Sequence, residues 1–153
     1  MHPVLTPLRR RLLALLLGAG LAQATAGDTG VAVIVAADAH TAPLSAEQLA
    51  LIYRRQQQYL GGRRVQPINL PAAHPLRRWF SQQVLGQPPE ALEAYWRDQY
   101  FNGVVPPFVL GSEEAVIRFV ATTPGAIGYV SRCLVDRRVK VLLPLEGGPA
   151  CSR

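Results

Sequence analysis

The run from Val31 to Ala37, VAVIVAA, limits what this chain can build. Four of its seven residues are β-branched, which restricts side-chain rotation in a helix and favours an extended strand. No polar residue alternates with the apolar ones, so neither face of that strand can be left to water. The run predicts a central strand in a sheet covered on both faces. The rest of the chain has to supply the covers.

Helical covers follow at regular intervals. In LSAEQLALIY, Ser45 and Gln48 have the spacing of a capping box, Leu44 and Leu49 that of a hydrophobic staple, and Leu49, Ile52 and Tyr53 continue one apolar face. Gly61-Gly62 ends that unit, and Val65 to Leu70 predicts a second strand, with Pro67 near its start or on an edge. A second helix is expected from Pro75 to about Leu85, burying Leu76, Trp79, Phe80 and Val84 and stopping at Gly86. Pro88-Pro89 opens a third, to about Phe101, whose Leu92, Tyr95, Trp96 and Tyr100 read as a core-facing stripe. A loop with a short extended piece spans 102–111. Ser112 caps a fourth helix ending near Thr122-Thr123-Pro124-Gly125, and strands are expected at 126–130 and 139–145. Strands alternating with helices make this an α/β fold with a mixed sheet flanked by helices.

The amino terminus reads as an export signal, not as part of the fold. Arg9, Arg10 and Arg11 precede an apolar run from Leu12 to about Ala22, and Ala24-Thr25-Ala26 offers a small-x-small cleavage site before Gly27. That run is shorter than the roughly 20 residues needed to cross a bilayer. The expectation is a periplasmic protein with no membrane span, residues 27–153 forming one domain. Setting 1–26 aside removes three arginines from the 16 basic residues and none of the 10 acidic ones, so +3 remains of the formal +6. The remaining arginine pairs at 54/55, 63/64, 77/78 and 137/138 are dispersed, which argues against nucleic-acid binding. In an oxidising compartment Cys133 and Cys151 are expected to form a disulfide that ties the tail to the body. Closing that loop would contribute about 3 kcal/mol in a chain-entropy model.

Catalytic and metal chemistry find no support. Ser45, Ser81, Ser112 and Ser131 lack a nucleophile elbow, and Glu113 and Glu114 are neighbours on a helix and so point apart. The glycines of GAIG precede a strand and lack the lysine of a nucleotide loop; they read as a tight turn and a close backbone passage. His2 and His40 have no partners at metal-ligand spacing, and no cofactor is implied.

One stretch breaks an electrostatic rule. In AAHPLRRWF, His74 is the expected helix cap and Pro75 the first helical residue, yet Arg77 and Arg78 enter the first turn, where the helix already presents a positive pole. Each cation there costs about 0.3–1 kcal/mol without a counter-charge. Two readings stand. The tip with His74, Leu76, Arg77 and Arg78, and Asn69 on the preceding strand, is a candidate anion site. Alternatively, the arginines extend into water or pair with carboxylates such as Glu90 or Glu93.

In this order, LSAEQLALIY, VQPINLPAAHPLRRWF, SEEAVIRFVATT and above all PGAIGYV resemble the phosphate ABC transporter substrate-binding proteins, a branch of the type II periplasmic binding proteins. The resemblance covers about residues 31–131. It implies one lobe of a fold in which two α/β lobes close on an oxyanion. It also implies phosphate or a related oxyanion as ligand and a link to ABC-type transport. Where that family places a Ser-Gly-Thr turn this chain has His74-Pro75-Leu76, and where a Gly-Lys pair follows the first helix it has Arg55-Gln56. A single lobe leaves its ligand solvated on one side. A permease, porin or sensor could supply the missing wall, as could a second copy in a homodimer, or the lobe could serve as an envelope interaction module without tight phosphate binding.

Overall fold

The computed structural model describes residues 29–151. The expected signal, its Ala26/Gly27 boundary and His2 lie outside them. β1 (Val31–Ala36) forms as expected and is buried along nearly its whole length. α1 (Ala46–Tyr53) starts at the expected capping box: Ser45 Oγ accepts from Gln48 N at 3.1 Å, and Gln48 Oε1 accepts from Ser45 N at 3.1 Å. A hairpin that the sequence reading missed follows, β2 (Tyr59–Leu60) and β3 (Arg63–Arg64), turned by Gly61 and Gly62 at φ 56° and 77°. Its two-residue strands are too short to show an alternation.

β4 (Gln66–Asn69) leads to α2 (Pro75–Phe80), which continues as a π-helical turn over Ser81–Leu85 and ends at Gly86, φ 73°. A 3₁₀ turn (Pro89–Leu92) enters α3 (Glu93–Phe101), followed by β5 (Phe108–Val109), α4 (Glu113–Thr122), β6 (Ala126–Ser131) and β7 (Val139–Leu145). The sheet order is β5-β4-β6-β1-β7. β4 runs parallel to β5 and β6, whereas β1 is antiparallel to β6 and β7, so the sheet is mixed.

The core face is filled by β1, β4, β6 and the apolar sides of α1, α2 and α4. At its centre Tyr53, Phe80 and Tyr129 meet, with Phe80 and Tyr129 stacked at a centroid distance of 3.7 Å. Both GAIG glycines are required sterically. A Cβ on Gly125 (φ 79°) would lie 2.4 Å from Arg64 O, and one on Gly128 would lie 2.6 Å from Val116 Cγ1 of α4. Cys133 and Cys151 form a disulfide, Cα atoms 6.3 Å apart, and the tail before Cys151 passes Trp79 at Gly147 and Gly148.

The aromatic stripe on α3 is a correction. Leu92 is buried, but Tyr95 and Trp96 are half-buried and Tyr100 is 67 % exposed. No residue of α3 is fully buried. Helical spacing identifies a face that could be covered; here only Trp96 packs against the edge of the core, while Tyr100 stays outside it. Its attachment includes one directed contact, Tyr95 Oη donating to Arg54 O at 2.7 Å.

Candidate functional site

The α2 tip stands beyond the end of β4, and its capping follows the sequence. His74 is extended, its Nδ1 accepts from Leu76 N at 3.2 Å, and Pro75 has no N–H to satisfy. His74 is half-buried and Pro75 exposed, so the tip reaches solvent. The Leu76 side chain points into the core at 2 % exposure, and its backbone N–H is taken by the cap.

The two arginines part company. Arg78 remains on the surface and makes a bidentate pair with Glu90, 2.9 Å from Nη1 to Oε2 and 2.8 Å from Nη2 to Oε1. That fork holds the Glu90 carboxyl down at about 2, the direct hydrogen bonds being the main cause. Arg77 turns inward to 8 % exposure. Its Nε donates to Ser81 Oγ at 3.1 Å and its Nη1 to Leu70 O at 3.0 Å. No carboxylate among the described residues lies within ion-pair distance of it. Among the described residues, then, Arg77 is a buried, hydrogen-bonded charge with no ion-pair partner directly behind a helix N-terminus.

Asn69 is turned inward too. At 4 % exposure, its Oδ1 accepts from Tyr129 Oη at 2.8 Å, while Leu70 N donates to Tyr129 Oη at 3.5 Å. Burial pushes the Tyr129 hydroxyl far above its ordinary range, partly opposed by the Arg77 charge. Tyr53 is likewise raised by burial, and its hydroxyl donates to Ile68 O at 2.9 Å. Asn69, Leu70, Arg77, Ser81 and Tyr129 thus form a polar lining that fixes the tip from behind. The structure brings Asn69 and Arg77 into this lining, leaves His74 at the rim and diverts Arg78 to Glu90. Sequence reasoning missed Ser81 and Tyr129. Ser81 carried a signal, since it stands four residues after Arg77 on the same helical face.

Chemically, the tip offers few donors for an anion: the Leu76 N–H is occupied and Pro75 has none, leaving the Arg77 N–H and the His74 ring. What it offers more strongly is field, the α2 pole with the Arg77 charge behind it. The second helix start at this end of the sheet is closed. Ser112 Oγ accepts from Ala115 N, and Glu113 accepts from both Ser131 N and Ser131 Oγ.

No family model and no curated relative matches the sequence. Solved structures do match the fold. An ABC-type phosphate transport receptor from Vibrio cholerae aligns at 19% identity and TM-score 0.57, over 76% of this chain and 47% of its own. A putative phosphate ABC transporter substrate-binding protein with bound phosphate from Clostridium perfringens aligns at 18% identity and TM-score 0.61, over 81% and 49%. PstS from Borrelia burgdorferi aligns at 15% identity and TM-score 0.53, over 76% and 48%. The chain thus spans about half the length of each of these structures, and within that span its fold is that of phosphate ABC transporter substrate-binding proteins.

Proposed function

We propose that this protein is an exported, periplasmic solute-binding-like domain that holds phosphate or a related oxyanion weakly at the α2 tip, in connection with ABC-type transport. The carrying observation is Arg77, a buried cation that no carboxylate among the described residues neutralises. An anion at the tip would supply the missing charge, contacting the Arg77 N–H and His74, while Asn69 and Leu76 hold the tip in place. The fold likeness to proteins named for phosphate transport supports the same reading, and it favours a binding role over an enzymatic one. One lobe provides no second wall, so affinity should be weak, in the millimolar range or about −4 kcal/mol.

Calorimetry with phosphate and sulfate tests this. Arg77→Met should abolish a saturable signal, and Arg77→Lys, which keeps the charge, should retain it. Thermal melts of each variant establish that it is folded.

A second reading, an envelope interaction module facing a permease, porin or sensor, is favoured by the small number of free donors. Arg78 is committed to Glu90, and the Leu76 N–H to His74. Absence of heat with every anion, together with a complex recovered by crosslinking, would select it.

A further inference from the structure

A second group of unneutralised cations lies at the other end of β4. Arg55 and Arg64 line a cavity of about 650 Å³ whose opposite wall is apolar, built from Val105, Pro106, Pro107, Phe108 and Val109. Val105, Phe108 and Val109 are each at least half exposed, an uncommon concentration of bare apolar surface. Among the described residues neither guanidinium donates a hydrogen bond or makes an ion pair, and Arg55 Nε, sealed from water, finds no partner there. Burial, and then the neighbouring Arg64 charge, make the charged form of Arg55 less favourable.

The backbone at Arg55 forms the end of α1. Arg55 sits at φ 62°, the one non-glycine residue with positive φ among those described. A side chain there is strained, and glycine would relieve it. That φ belongs to the Schellman end of α1, Arg55 N donating to Ile52 O and Gln56 N to Leu51 O, and it leaves a half-buried guanidinium, unpartnered among the described residues, facing a like charge, which an anion between the pair and the apolar wall would offset.

We propose that this cavity is a binding site for a small organic anion, one carboxylate or phosphoryl group on an apolar, ring-sized body. The oxyanion would lie against Arg55 and Arg64, and the body against Phe108 and Val109. The volume falls within the usual range for small-molecule sites, roughly 300–1,000 Å³. Its arginines lie at the start of β4 and the α2 tip beyond its end, and the two sites share no lining side chain, although Phe108 and Val109 pair with Ile68 and Asn69 in the sheet.

The test is calorimetry and amide chemical-shift titration with phenyl phosphate, phenylacetate and inorganic phosphate, on the wild-type protein and on Arg55→Gly, Arg64→Ala and Phe108→Ala. Arg55→Gly should fold at least as stably as the wild type, so that a loss of binding in it is not a loss of structure. Saturable binding of an aryl anion, with shifts at Phe108 and Val109 and at least a tenfold loss in Arg55→Gly and in Arg64→Ala, is the expected result. Whichever aryl anion binds more tightly identifies the head group. The proposal is overturned if neither aryl anion binds at millimolar concentration, or if the arginine variants bind unchanged. It is equally overturned if inorganic phosphate binds there as well as phenyl phosphate and Phe108→Ala has no effect. Arg77→Met leaves this site intact, so failure at the α2 tip and failure here are separately visible.

Discussion

Two helices begin at the same end of the sheet and treat charge in opposite ways. α4 follows the simple electrostatic rule: Ser112 caps it and Glu113 and Glu114 enter its first turn, where the helix pole is positive. Glu113 also reaches back to the Ser131 N–H and hydroxyl, so its charge is used twice. α2 places Arg77 and Arg78 against that pole. The structure resolves the conflict by separating them, Arg78 onto Glu90 outside and Arg77 onto the Leu70 carbonyl and Ser81 inside. A charge at a helix start is thus judged by where its side chain ends, and a short helix can carry a cation there if the core supplies acceptors. One consequence is chemical: the α4 start is neutralised by its own residues, and the α2 start is left electropositive.

The largest expected effect of breaking this contrast is at Arg77. Arg77→Ala leaves Leu70 O and Ser81 Oγ without their donor and opens a cavity beside Phe80 and Tyr129, and should destabilise by about 2–4 kcal/mol in chemical denaturation. A loss below about 1 kcal/mol would mean the buried charge is merely tolerated. Glu113→Gln should come next, at about 1–2 kcal/mol, because it removes the charge facing the α4 pole and weakens two hydrogen bonds to Ser131. Capping should follow. Ser112→Ala is expected to lower stability by about 1 kcal/mol and His74→Ala by about 0.5–1 kcal/mol, measured side by side in urea.

The smallest effect belongs to Arg78 and Glu90, which are solvent-exposed. Glu90 is held at about 2, below its ordinary 4.5, so its contribution is present above pH 4.5 and lost as pH falls towards 2. Thermal melts of Arg78→Ala should match the wild type near pH 2 and fall slightly below it at pH 7. A larger gap at pH 2 than at pH 7 would contradict the assignment.

Features set by neighbours in sequence were readable in advance. The Ser45–Gln48 box, the His74-Pro75 start, the Ser112 cap and the Gly86 stop each depend on groups within a few residues of one another, and all are present as expected. Even the GAIG turn was legible, since glycine there meant close approach and Gly125 and Gly128 meet Arg64 and Val116. Less could be read where the outcome depended on competition for the core. The α3 stripe had the right period, but only Trp96 packs against the edge of the core and Tyr100 stays outside it. The hairpin at 59–64 escaped because two-residue strands carry no periodicity.

For the candidate site, the sequence by itself determined that two cations stand in a first helical turn behind a histidine cap and a proline. Spacing fixes those positions around the helix axis. Only the tertiary structure decided that Arg77 goes inward and Arg78 outward, because the deciding partners come from elsewhere. Leu70 directly follows β4, Tyr129 belongs to β6 and Glu90 to the turn before α3. Desolvating a guanidinium is unfavourable unless acceptors wait for it in fixed positions, and those positions exist only once the sheet has assembled.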